Sequence, residues 1–128
     1  MASFERQVYP ETDFTVIKII GEIKAGEILD WAEKSGHKDR TRLVLWDLTE
    51  SSWSKIPSEL LKKNLGLAQK KFAKPGDRTA FVLGNDLDYG LGRVVENQIE
   101  SEDTPAEYRP FLSIDAARAW LFDLEGSH

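Results

Sequence analysis

The chain has 128 residues, is 41% hydrophobic, contains no cysteine and carries a formal net charge of −5. This length and apolar content suit one compact domain with its own core, while the missing cysteines exclude disulfides, thiolate catalysis and cysteine-based metal sites. The acidic balance argues against general binding to nucleic-acid backbones or anionic membranes, and no signal core or apolar run of bilayer length stands in the sequence, so a soluble cytoplasmic protein is expected.

Residues 4–9 and 15–20 read as two short strands around the turn-favouring Pro10-Glu11-Thr12-Asp13, forming an antiparallel hairpin. Ile28, Leu29, Trp31, Ala32 and Ser35 then recur at helical spacing until Gly36, which defines a first helix. Leu43-Val44-Leu45-Trp46, ending in Asp47, is the continuous apolar run of a strand covered on both faces. Leu61, Leu65, Ala68 and Phe72 mark one face of a second helix, capped by Ser58 after Pro57 and closed by Lys74-Pro75-Gly76.

Residues 79–83 repeat the buried-strand pattern. Leu87, Leu91, Val94, Val95, Gln98 and Ile99 give a third helix its apolar stripe, which residues 101–105 end. Residues 107–112 form a last strand, placed at an edge or near its own end because Pro110 cannot donate a ladder hydrogen bond. Ser113 or Asp115 opens a short final helix with Ala117, Trp120 and Leu121 facing inward. This order predicts an α/β fold, an N-terminal hairpin followed by a mostly parallel sheet of about five strands with four helices and right-handed crossovers. Residues 1–125 are expected to be that single domain, and Gly126-Ser127-His128 reads as a cloning remnant.

The stretch from Gly84 to Arg93 carries the densest signal, because Gly90 and Gly92 stand in the first turns of the third helix. Each costs about 1 kcal/mol against alanine there and calls for close packing or a bound group. Open α/β sheets place ligands at the carboxyl ends of their strands, which makes Asp47, Asn85, Asp86, Tyr89, Gly90, Gly92 and Arg93 the candidate ligand site. Asn85 or Asp86 would cap the helix, and Arg93 would pair with Asp47 or with an anionic ligand. The ion pair with close-packed glycines is the favoured reading, since a lone Gly-x-Gly among acidic neighbours is a poor phosphate cradle.

Asp86 and Asp88 near Asp47 match no calcium-loop spacing, so no metal and no cofactor are expected. His37 follows the first helix without apolar framing and His128 belongs to the remnant, so nucleophilic catalysis lacks a base and no catalytic residue is assigned. Ser54 and Lys55 are neighbours in sequence only. Trp46 and Trp120 fall on buried patterns, whereas Trp53, in the polar run Ser51-Ser52-Trp53-Ser54, either packs back over the core or stays exposed as an anchor for a protein partner. Lys62-Lys63 and Lys70-Lys71 read as a solvated helix face.

Leu45-Trp46-Asp47-Leu48 ending the central strand, Tyr89-Gly90-Leu91-Gly92-Arg93 opening the third helix, and Arg109-Pro110-Phe111-Leu112-Ser113 leading into Ala116-Ala117-Arg118-Ala119-Trp120-Leu121 form an ordered set of motifs. Over nearly the whole chain this set resembles the small bacterial STAS/SEC14-like proteins with a SpoIIAA-like fold. The resemblance implies a single STAS-like domain. Its better-understood relatives are anti-sigma-factor antagonists, which bind a kinase partner and are switched by phosphorylation of a serine at the start of the second helix. Their Asp-Ser-Ser-Gly-like motif is replaced here by Lys55-Ile56-Pro57-Ser58, which leaves Ser58 as the nearest hydroxyl to a phosphate-stabilising helix start.

The expectation is therefore a non-enzymatic interaction or regulatory module with an unknown protein partner, contacted through the second helix and residues 49–58. The alternative is a SEC14-like binder of a small apolar or anionic ligand in a crevice between the second and third helices. Neither nucleic-acid binding nor stable membrane insertion is expected, and the exposed strand edges leave a homodimer open.

Overall fold

The computed structural model describes residues 2–24, 26–31, 33–34, 41–53, 55–72, 74–101 and 106–122. Among them the elements run β1 (Ser3–Tyr9), β2 (Phe14–Glu22), α1 (Glu27–Trp31), β3 (Leu43–Ser52), α2 (Ser58–Phe72), β4 (Arg78–Leu83), α3 (Asp86–Ser101), β5 (Glu107–Phe111) and α4 (Ile114–Leu121). The five strands lie side by side in chain order, so each crossover returns next to the strand it left. β1 and β2 form the expected antiparallel hairpin, and the remaining neighbours are parallel.

The hairpin turns through a 3-10 segment, Pro10–Thr12, that closes on Asp13 in the left-handed region at φ 53°. Aspartate tolerates that backbone better than most residues because its short side chain bonds locally. Here the carboxylate accepts from Arg42 N at 3.1 Å and the Asp13 carbonyl accepts from Leu43 N at 3.0 Å, which fastens the turn to the start of β3.

Side-chain alternation along the central strands divides the interior in two. Trp46, Leu48, Phe81 and Leu83 face Leu61 and Leu65 of α2 and Val95 of α3. Leu43, Leu45, Ala80 and Val82 face Ala117 and Leu121 of α4 on the other side. Coverage of both faces explains the unbroken apolar runs of β3 and β4. α4 begins at Ser113, whose hydroxyl accepts from Ala116 N at 3.2 Å, so Ser113 and not Asp115 is the cap. β5 lies at the sheet edge, which accommodates Pro110.

A row of aromatic rings crosses the sheet beneath the first three helices. Trp31 meets Trp46 at 5.5 Å, Trp46 meets Phe81 at 5.6 Å, and Phe81 meets Tyr108 at 4.7 Å. The Tyr108 hydroxyl at the end of this row is buried without a hydrogen-bond partner among the described residues. Burial, followed by the nearby charge of Glu96, pushes the phenol well above its ordinary value of 10.0. Because the folded value lies above the unfolded one, Tyr108 costs nothing below its ordinary value of 10.0 and subtracts stability as pH rises from there toward the folded value. Tyr108→Phe should leave stability at neutral pH unchanged or raise it by about 1 kcal/mol in urea unfolding, and should move the alkaline unfolding midpoint upward. A loss of stability with phenylalanine would mean that the hydroxyl has a partner.

Three details differ from the sequence expectation. β3 does not end at Asp47 but continues to Ser52, because β2 also continues and supplies partners for Glu50, Ser51 and Ser52 after a register shift between Lys18 and Ile20. Ser58 is the first residue inside α2 and not its cap, with the Pro57 carbonyl accepting from the N–H groups of Leu60 and Leu61. The inward face of α3 is Asp88, Gly92 and Val95, while Leu87 is 67% and Val94 42% exposed. The helix is rotated from its apolar stripe by the cap described below. The expected end of α1 at Gly36, His37, Ser54, residues 102–105 and residues 126–128 all lie outside the described residues. No helix among the described residues is long and apolar enough to cross a membrane.

Candidate functional site

β4 leaves the sheet through Gly84 and Asn85, and Asn85 caps α3. Its side-chain oxygen accepts from Asp88 N at 2.9 Å, and its amide donates to Asp88 Oδ2 at 3.3 Å. The first bond is an N-cap and the second ties the two side chains together, which settles the cap on Asn85 over Asp86. It also turns Asp88 inward, where the residue is 0% exposed.

Two further groups converge on the same residue. Ser52, at the end of β3, donates its hydroxyl to Asp88 Oδ1 at 3.1 Å. The indole of Trp53 donates Nε1–H to the Asp88 carbonyl at 3.0 Å. A buried carboxylate needs such donors, and the first turn of a helix adds favourable backbone N–H groups. Asp88 thus joins β3, the entry to α2 and the start of α3. The spacing Asn-x-x-Asp carries this information in the sequence, but the neighbouring Leu87 makes the apolar stripe the louder signal.

Trp53 is wholly buried, at 0% exposure, which corrects the reading of it as a surface anchor. Its ring packs on Phe81 with centroids 5.5 Å apart. Gly92 lies directly against it, since a Cβ at position 92 would sit 3.5 Å from Trp53 Cζ2 and 2.8 Å from Pro110 Cβ. Gly92 is therefore a close-packing position. Gly90 is not, because a Cβ there would meet nothing within 4 Å.

Asp47 and Arg93 do not meet. Asp47 alternates with Leu43 and Leu45 and so points to the α4 side of the sheet, whereas α3 packs on the other. The Asp47 carboxylate accepts from Thr49 N at 3.0 Å and Thr49 Oγ1 at 2.6 Å, a local turn-like arrangement. Arg93 is exposed and its Nε pairs with Glu96 Oε1 at 3.3 Å, one turn along α3. Of the remaining candidates, Tyr89 is half-buried against the core under the helices, and Asp86 is exposed at the helix start. The structure gathers Asn85, Gly92 and the entry to α3 into one junction and leaves Asp47 and Arg93 elsewhere.

One open cleft among the described residues lies to one side of this junction. A cleft of about 330 Å³ at the carboxyl ends of β2 and β3 is lined by Gly21, Glu22, Thr49, Glu50, Ser51, Ser52 and Lys55. None of these residues belongs to α3 or to the body of α2. Its rim charges are matched in pairs, Lys18 with Glu50 and Lys55 with Glu22, the latter at 3.1 Å. The hydrogen bond and then the charge of Glu50 raise the Lys18 pKa above 10.5, and those of Lys55 lower the Glu22 carboxyl below 4.5. Both pairs stand in water and contribute little to stability. Among the described residues no group of three or more histidine or acidic side chains is placed to hold a metal ion.

No family model matches the chain, and no curated protein matches it. Solved structures do. An anti-sigma factor antagonist from Mycobacterium paratuberculosis aligns over 94% of both chains with a TM-score of 0.62 at 16% identity. An uncharacterized DUF3478-family protein with a SpoIIAA-like fold from Shewanella loihica PV-4 aligns over 94% of this chain and 93% of its own, with a TM-score of 0.55 at 18% identity. With an N-terminal hairpin, four parallel strands and helices on both faces, the chain is a small α/β protein of SpoIIAA-like fold.

Proposed function

We propose that the chain is a non-enzymatic interaction module of the SpoIIAA-like kind, which binds a regulatory protein partner through the outer face of α2 and the turn leading into it. The carrying observation is the fold likeness to an anti-sigma factor antagonist along 94% of both chains. The surface of α2 supports the same reading. Leu60 and Leu67 stand two turns apart on one flank and are 38% and 39% exposed, with the exposed Lys63 between them. Apolar side chains at that spacing are the anchors by which helix surfaces are recognised. Ser52 and Asn85 bond to Asp88, and Thr49 bonds to Asp47, which fits a structural use of these polar groups better than a reactive one.

Ser58 is exposed at the first position of α2, and phosphate placed there would be favoured by the helix start. Regulation of partner binding by that modification belongs to this reading. Affinity capture with the wild-type chain and with Leu60→Asp/Leu67→Asp tests it. One protein retained by the wild type and lost by the variant, with equal melting temperatures, is the expected result. Identical recovery by both chains would remove α2 as the contact surface.

The cleft at the ends of β2 and β3 favours one second reading, a site for a small polar ligand held by hydroxyls and Lys55. Native mass spectrometry of gently purified protein decides between the two, since a stoichiometric small molecule supports the ligand site and a bare chain counts against it.

A further inference from the structure

Nothing among the described residues requires glycine at position 90. The residue lies in α3, is exposed, is absent from the positive-φ glycines, and would accept a Cβ with nothing inside 4 Å. A helix-interior glycine of this kind weakens its helix without return from its own fold. Gly92, two residues on, has its explanation in Pro110; Gly90 has none.

Its surroundings supply one from outside. The helical period places Leu87, Gly90 and Val94 on a single outward stripe, with the half-buried Leu91 along its margin. Leu87, at 67%, is the most exposed large hydrophobic side chain among the described residues, and Val94 is exposed at 42%. A residue without a side chain between two aliphatic ones is what permits close approach of a second helix backbone. Asp86 and Arg93, of opposite charge, bracket this stripe at its two ends.

We propose that this stripe is a self-association surface, on which α3 of a second copy packs antiparallel with its own Gly90 over Gly90. A two-fold axis through the glycine brings the Asp86 end of each helix beside the Arg93 end of its partner. A parallel arrangement would set like charges together. The opposite ends of the stripe therefore complement a second copy in one orientation, as an isologous interface demands. Arg93 keeps Glu96 beside it, and its exposed guanidinium can serve both carboxylates. The surface uses α3 and stands apart from the α2 face assigned above to a different partner.

Sedimentation equilibrium of the full chain, from low micromolar to submillimolar concentration, tests the proposal. A reversible monomer–dimer equilibrium is expected. Leu87→Asp and Gly90→Arg should each weaken it by about tenfold or more without lowering the melting temperature measured at high dilution, because both positions face solvent in the monomer. Asp86→Arg and Arg93→Asp should each weaken association, and the double variant should restore it. A chain that stays monomeric throughout, or a dimer indifferent to Leu87→Asp and Gly90→Arg, overturns the surface. Failure of the double charge reversal to restore association overturns the antiparallel arrangement.

Discussion

Trp53→Ala should lower the unfolding free energy by about 3–5 kcal/mol, the range found for deleting a large aromatic side chain from a packed core. The indole is 0% exposed, packs on Phe81, and fills the space between Gly92 and the sheet. Its removal leaves a cavity and also strips the Asp88 carbonyl of the Nε1 donor at 3.0 Å. Trp53→Phe separates the two effects, since it keeps most of the apolar volume and loses the donor, at a cost of about 1–3 kcal/mol. Urea unfolding followed by circular dichroism measures both. A change within about 0.5 kcal/mol for the alanine variant, typical of an exposed position, would contradict the buried indole.

Gly92→Leu should destabilise by about 3 kcal/mol or more, at the upper end of what overpacking costs. Even a Cβ would stand 2.8 Å from Pro110 Cβ, and a proline ring on a paired strand has no rotamer by which to withdraw. α3 would have to lift from β5, opening the contact that Trp53 shares. Gly90→Ala, in the same helix, should instead stabilise the monomer by about 1 kcal/mol, since it gains helix propensity in open space. Opposite signs from two glycines two residues apart are the outcome to look for in parallel thermal melts. The same sign for both would mean that the helix sits further from β5 than described.

The expectations that held are those written in local patterns. Leu43-Val44-Leu45-Trp46 and residues 79–83 read as buried strands because both faces are covered, and an apolar run has no other cheap solution in water. The hairpin and α4 announce themselves by Pro10 and by Ser113. What escaped depends on partners distant in sequence. Thr49 to Ser52 have loop-like composition and become strand only because β2 runs beside them. The rotation of α3 follows from Ser52 and Trp53 drawing Asp88 inward, against the pull of Leu87 and Val94.

The site suffered most from this. Asp47 ends the apolar run of one strand and Arg93 follows its neighbour, which suggests a meeting, yet Asp47 lies within β3, shares its parity with Leu43 and Leu45 and points away from α3. Parity was countable in the sequence; which face received which helix was not. Trp53 had two readings of equal standing, and the choice between them required the position of Gly92.

Asp88 ties the last residue of β3, the entry to α2 and the first turn of α3 at a single buried point. α2 and α3 consequently share a pivot and cannot tilt independently. A displacement at the base of one helix is either transmitted to the other as a lever transmits motion or is met by breaking bonds to the buried Asp88.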